Sequence, residues 1–161
     1  MRLAAAGAGG GLLLVACSGS VDVGGAPTNP TGTVATQCAA LVAAAPGSVA
    51  GQASRDVSPA SRYVAAWGDP PIVLRCGVPR PRALTPTSRC FVVDGVGWLA
   101  TQDGVEVEPT RASDGTLEFT TVGRSAYVEV TVPDSYQPAA DALVDLAGTV
   151  AEHTTQRRAC R

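Results

Sequence analysis

The chain has 161 residues, 45% of them apolar but only 4% aromatic, so a single domain with a core of small side chains is expected. All 12 basic residues are Arg, 14 residues are acidic, and the net charge is −2; removing the leader described below, with its Arg2, leaves 11 Arg against 14 acids. That balance excludes a global basic field and hence a nucleic-acid partner, and the absence of Lys removes Schiff-base, P-loop and Ser-Lys chemistry.

Met1-Arg2 is followed by an apolar run from Leu3 to Ala16, too short for a permanent span and expected to be a signal peptide over residues 1–16. The run ends in Leu14-Val15-Ala16-Cys17, which resembles the bacterial lipobox. Cys17 is therefore the expected lipidation site, carrying diacylglycerol and a further acyl chain on its amine. Two or more chains at about 0.8 kcal/mol per buried CH₂ make a stable anchor. The expected location is the extracytoplasmic face of the cell membrane. Residues 17–36 are rich in Gly, Ser, Thr and Pro, and the 19 that follow Cys17 read as a flexible tether with a reach on the order of 25 Å. The globular domain is then expected over residues 37–161.

Thr36 is placed to cap a helix over residues 37–45, with Cys38, Leu41, Val42 and Ala45 on one face, stopped by Pro46-Gly47. Residues 48–71 show little periodicity and read as a long ordered loop. Ile72-Val73-Leu74-Arg75-Cys76 is a β-branched run, closed by the segment that holds Pro79, Pro81 and Pro86. Asp94-Gly95 separates two short apolar runs and predicts a two-residue hairpin, and Asp103-Gly104 and Asp114-Gly115 punctuate again. Leu117, Phe119 and Thr121, then Ala126, Val128, Val130 and Val132, alternate with polar neighbours at the period of strands with one wet face. Pro138 opens a helix whose Ala139, Ala142, Leu143, Leu146, Ala147 and Val150 form one stripe, with Asp141 and Asp145 opposite. The fold class expected is α+β: an antiparallel meander of about five strands, with N- and C-terminal helices packed on one face.

Cys38, Cys76, Cys90 and Cys160 form an even set with no C-x-x-C pair, in a chain with one His, so two structural disulfides are expected and a metal or other cofactor is not. Four cysteines allow three connectivities. Cys76 with Cys90, across a Pro-rich loop, and Cys38 with Cys160, between the terminal helices, is the pairing favoured here.

The segments Trp67-Gly68-Asp69-Pro70-Pro71-Ile72-Val73-Leu74-Arg75-Cys76-Gly77-Val78-Pro79, Asp94-Gly95-Val96-Gly97-Trp98, Thr120-Thr121-Val122-Gly123-Arg124 and Val128-Glu129-Val130-Thr131-Val132-Pro133 resemble the actinobacterial domain-of-unknown-function 3515 family. The resemblance runs from about Cys38 to Val150. It implies a small exported or membrane-attached protein and no particular activity.

Enzyme signatures are sparse. His153 is the one imidazole and falls at the end of the last helix, away from any evident nucleophile. Glu106 and Glu108, two residues apart, would share a strand face, where a solvated edge is the commoner meaning. Arg75, Arg80, Arg82 and Arg89 crowd a Pro-rich stretch without an acid, a composition suited to carboxylate or phosphate recognition beside Trp67. Trp67 and Trp98 are expected chiefly as core aromatics. The expected function is a non-enzymatic surface lipoprotein that binds an anionic envelope polymer or a membrane protein. The alternative is an envelope enzyme acting on a wall precursor through Asp69, or Glu106 and Glu108.

Overall fold

A computed structural model of the protein describes residues 19–25, 27–109 and 114–160. The signal peptide and Cys17 lie outside the described residues. The elements in chain order are β1 (Val21–Asp22), α1 (Gly32–Ala43), β2 (Ser48–Val49), β3 (Gln52–Arg55), β4 (Val57–Ser58), β5 (Val64–Trp67), β6 (Ile72–Cys76), β7 (Phe91–Val93), β8 (Val96–Gln102), β9 (Val105–Glu106), β10 (Leu117–Val122), β11 (Val128–Val132) and α2 (Ala140–His153). This is α+β, mostly antiparallel, with two disulfides.

The sheet has nine strands, not about five, in the order β2-β3-β5-β6-β11-β10-β8-β7, with β9 also on β8. Four strands lie inside the stretch expected to be loop. Ser, Gln, Ala and Arg give β2 and β3 no alternating signature, and Ala50-Gly51, both at positive φ, turn the chain between them. The simple meander also gives way. β10 and β11 form a hairpin, but β11 then closes antiparallel against β6, so the early strands join the late ones in one sheet. The Asp94-Gly95 hairpin is as expected, joining β7 to β8 with φ of 44° and 80°.

Alternation divides the buried side chains between two faces. Ile72, Leu74 and Cys76 of β6 join Val128, Val130, Val132, Phe119, Trp67 and Trp98 in the main apolar cluster, together with Cys38 and Leu41 of α1 and Leu143, Leu146 and Val150 of α2. Val73 falls in a smaller cluster with Val21, Val64 and Ala66. The two helices touch each other; α1 also meets β6, and α2 meets β11, β8 and β7. Arg124 closes the C-terminus of α2, donating to the carbonyls of Ala151 and Thr154, where the helix leaves acceptors unpaired.

Part of the expected tether is folded. Val21 and Asp22 pair in parallel with Val57 and Ser58, and α1 begins at Gly32, not at residue 37. Val21 is buried against Val73, so a segment too polar on average still carries one anchoring side chain.

The disulfides differ from the favoured pairing. Cys38 joins Cys76, and Cys90 joins Cys160, with Cα separations of 5.2 and 5.8 Å. Topology explains the outcome. β6 and the β7 edge beside Cys90 are four strand steps apart, or about 19 Å at roughly 4.8 Å per step, far beyond the ~7 Å a disulfide spans. α1 lies on β6, which delivers Cys38 to Cys76. The C-terminal segment runs back along the other end of the sheet, where Gly97 lies against Cys160.

Candidate functional site

The segment that expectation made a tether forms one wall of a cleft of about 710 Å³. Val23, Gly24, Pro27 and Thr28 face the loop that holds Pro59, Arg62 and Tyr63, and Arg75 of β6 lies within the cleft lining. Two of the lining residues are Arg and none is acidic. Arg75 is buried, and its Nη2 donates to the carbonyls of Val23 and, at 2.7 Å, of Gly24. Those two bonds hold the guanidinium while leaving it cationic. Arg62 is exposed, with its guanidinium carbon 5.9 Å from the centre of the Tyr63 ring, a cation–π arrangement that orients a long side chain. Thr28 is buried, and its Oγ1 has no hydrogen-bond partner among the described residues.

Behind Arg75 the same sheet face carries two carboxylates. Glu129 of β11 stands directly opposite Arg75 in the strand register, and Glu118 of β10 is its diagonal neighbour. Thr101 donates to Glu118 Oε2 at 3.0 Å. Burial pushes the Glu129 carboxyl above the ordinary glutamate value, the Glu118 charge pushes it further, and Arg75 pulls it back. Sequence reasoning read these positions only as a wet strand face. The signal was present in the alternation, since Glu118 and Glu129 both fall opposite the apolar cluster.

The expected cationic patch is not assembled. Arg75 lines the cleft above; Arg80 braces its own loop, bonded to Tyr127 Oη and the Leu84 carbonyl; Arg82 is exposed; Arg89 lines a different cleft. Arg62, which expectation left out, is the residue that joins Arg75. Trp67 is 1% exposed, and its Nε1–H donates to the Pro46 carbonyl at 2.8 Å, so it fills the core and offers no stacking surface. The candidate carboxylates also separate. Glu106 and Glu108 line a cleft of about 560 Å³ with Arg89 and Phe91, where Glu106 accepts the Arg89 backbone N–H. Asp69 is elsewhere, its N–H given to Tyr136 Oη, which in turn donates to the Pro70 carbonyl. His153 ends α2. Among the described residues no group of three or more His, Cys, Asp or Glu could hold a metal, and no helix is long and apolar enough to cross a membrane.

Residues 12–159 match a family described as "Protein of unknown function (DUF3515)". The chain belongs to that family. No curated protein and no solved structure matches it. Within this DUF3515 chain the Trp67 to Pro71 run, which opens the first of the four segments of resemblance, is structural. Trp67 is core, Gly68 sits at φ +76° where a Cβ would lie 2.6 Å from Tyr136 Oη, and the following residues are clamped by that same hydroxyl. Of the four segments of resemblance, only Arg75 lies in the cleft lining.

Proposed function

We propose that the protein is an exported lipoprotein, anchored through Cys17 on the extracytoplasmic face of the membrane, that binds an anionic envelope component without transforming it. The observation that carries the reading is the cleft with Arg62 and Arg75 in its lining and no acid among its lining residues. A fixed, buried guanidinium and a solvated one lining the same cleft suit a carboxylate or phosphate, which takes planar, charge-assisted hydrogen bonds. The two disulfides accord with an oxidising compartment. In this reading both helices cover one face of the sheet and the opposite face serves the ligand.

The test has two parts. Cys17→Ser should move the protein from the membrane fraction to the soluble fraction and abolish incorporation of labelled palmitate. Calorimetric titration of the purified protein with glycerol phosphate and with glucuronate should show binding that glucose does not, weakened roughly tenfold in Arg62→Gln, as loss of one hydrogen bond to a charged group implies. Retention of the Cys17→Ser variant in the membrane would refute the anchor. Equal titration curves for the wild type and Arg62→Gln would refute the cleft.

A further inference from the structure

The path of the N-terminal segment determines how far the cleft can stand from an anchor at Cys17. Gly19 is already held, its carbonyl accepting from Arg55 Nη2 at 2.9 Å. The Val21 N–H donates to the Asp56 carbonyl at 2.8 Å, the Val23 N–H donates to the Ser58 carbonyl at 3.2 Å, and Arg75 takes the carbonyls of Val23 and Gly24. Two residue steps separate Cys17 from Gly19, and six separate it from Val23 in the cleft wall. Chain geometry limits these to about 7 Å and about 22 Å when fully extended. The polar headgroup layer on each side of a bilayer is itself roughly 5–8 Å deep. A domain tied down at Gly19 and acylated two residues earlier cannot stand off from the membrane as a tethered one would. It rests against the headgroups, and the strand that leaves the membrane leads directly into the cleft.

The lining of the cleft matches that location. Arg62 and Arg75 supply positive charge in a chain of net negative charge, and Val23, Pro27, Pro59 and Val64 give the cavity apolar walls. A site for a small, fully hydrated anion has no use for those walls, whereas an amphiphile presents an oxyanion and a hydrocarbon portion together. Resting on the anchored binding reading above, the geometry points to an anionic phospholipid headgroup as the ligand of this cleft, its phosphate oxygens on Arg62 and Arg75 and its glycerol region against Val23 and Pro59. A soluble phosphate ester shares the head chemistry, and the experiment separates the two sources.

The acylated full-length protein is reconstituted in vesicles of phosphatidylcholine alone, or of phosphatidylcholine mixed equally with phosphatidylglycerol, and amide hydrogen exchange is followed over residues 21–25 and 61–64. Exchange should slow in the phosphatidylglycerol vesicles, and Arg62→Gln should reduce that lipid dependence about five-fold, the effect of one basic residue at an anionic surface. A third sample adds soluble glycerol phosphate to the phosphatidylcholine vesicles. If it slows exchange as much as phosphatidylglycerol does, the membrane is not the source and the inference is overturned, while anion binding stands. If neither addition slows exchange, the inference and the anion reading both fail. Protein that does not float with the vesicles sinks the anchor instead.

Discussion

Replacing Cys38 and Cys76 together by Ala removes a crosslink that spans a sequence separation of 38 and joins α1 to the middle of the sheet. The chain-entropy estimate for a loop of that size is about 4 kcal/mol near room temperature, and about 4.4 kcal/mol for Cys90–Cys160 with its separation of 70. Cys38 and Cys76 are both fully buried in the main apolar cluster, so lost sulfur packing adds to the first figure. Because the two loops do not overlap in sequence, the two losses should add. The assay is denaturant unfolding of the oxidised wild type and of each double variant, where the Cys38/Cys76 variant should also melt roughly 10–15 °C lower. Pairing is read independently by tryptic mapping without reductant, since cleavage at Arg places each of the four cysteines in its own peptide. Peptide 90–111 should carry 159–161, and peptide 76–82 should carry the peptide ending at Arg55. A link between 76–82 and 90–111, or a loss below about 1 kcal/mol on removing Cys38–Cys76, would refute the reasoning.

Three further outcomes concern the two tryptophans, Gly123 and Glu129. Trp67→Phe loses the bond to the Pro46 carbonyl, whereas the buried Trp98 Nε1 has no partner among the described residues, so Trp67→Phe should cost about 1–2 kcal/mol more than Trp98→Phe in urea unfolding; the reverse order would contradict the assignment. Gly123 sits at φ +71° with an added Cβ only 2.2 Å from the Arg158 carbonyl, so Gly123→Ala should lift the C-terminal segment, cost about 1–3 kcal/mol, and speed exchange of the Arg157 and Arg158 amides that donate to the Gly123 carbonyl. Glu129 binds its proton more tightly folded than unfolded, so it makes the protein less stable as pH rises from the unfolded value through the raised folded one, and more stable as pH falls back through that window. Glu129→Gln should therefore raise the unfolding midpoint at neutral pH and remove that part of the pH dependence above the ordinary glutamate value of about 4.3; an unchanged profile would show that the carboxyl does not titrate differently on folding.

What could be read in advance was what local chemistry dictates. Asp94-Gly95 located the β7–β8 hairpin because few pairs tolerate two positive φ values, and the stripe from Ala142 to Val150 located α2 because its period is internal to the segment. β2 to β5 escaped because strands of two to four residues rich in Ala, Ser and Gln hold their place through neighbours and not through propensity. The insertion of β11 beside β6 is a long-range pairing with no local trace, and once it was missed the disulfide pairing and the grouping of arginines were missed with it. Arg62 and Arg75 illustrate the loss at the site. Thirteen positions apart, they line one cleft with Val23 and Pro59, whereas Arg80, Arg82 and Arg89, close to Arg75 in sequence, are not in that lining.

The two bridges join the cysteines of the folded body in their order along the chain, first with second and third with fourth. If the chain is exported N-terminus first, as proposed above, it presents Cys38 and Cys76 together before Cys90 emerges. An oxidase that joins thiols as they appear then makes the native set directly, and no isomerase is needed to undo a premature link. The second loop, 90–160, shares no residue with the first, so either bridge can close without waiting for the other.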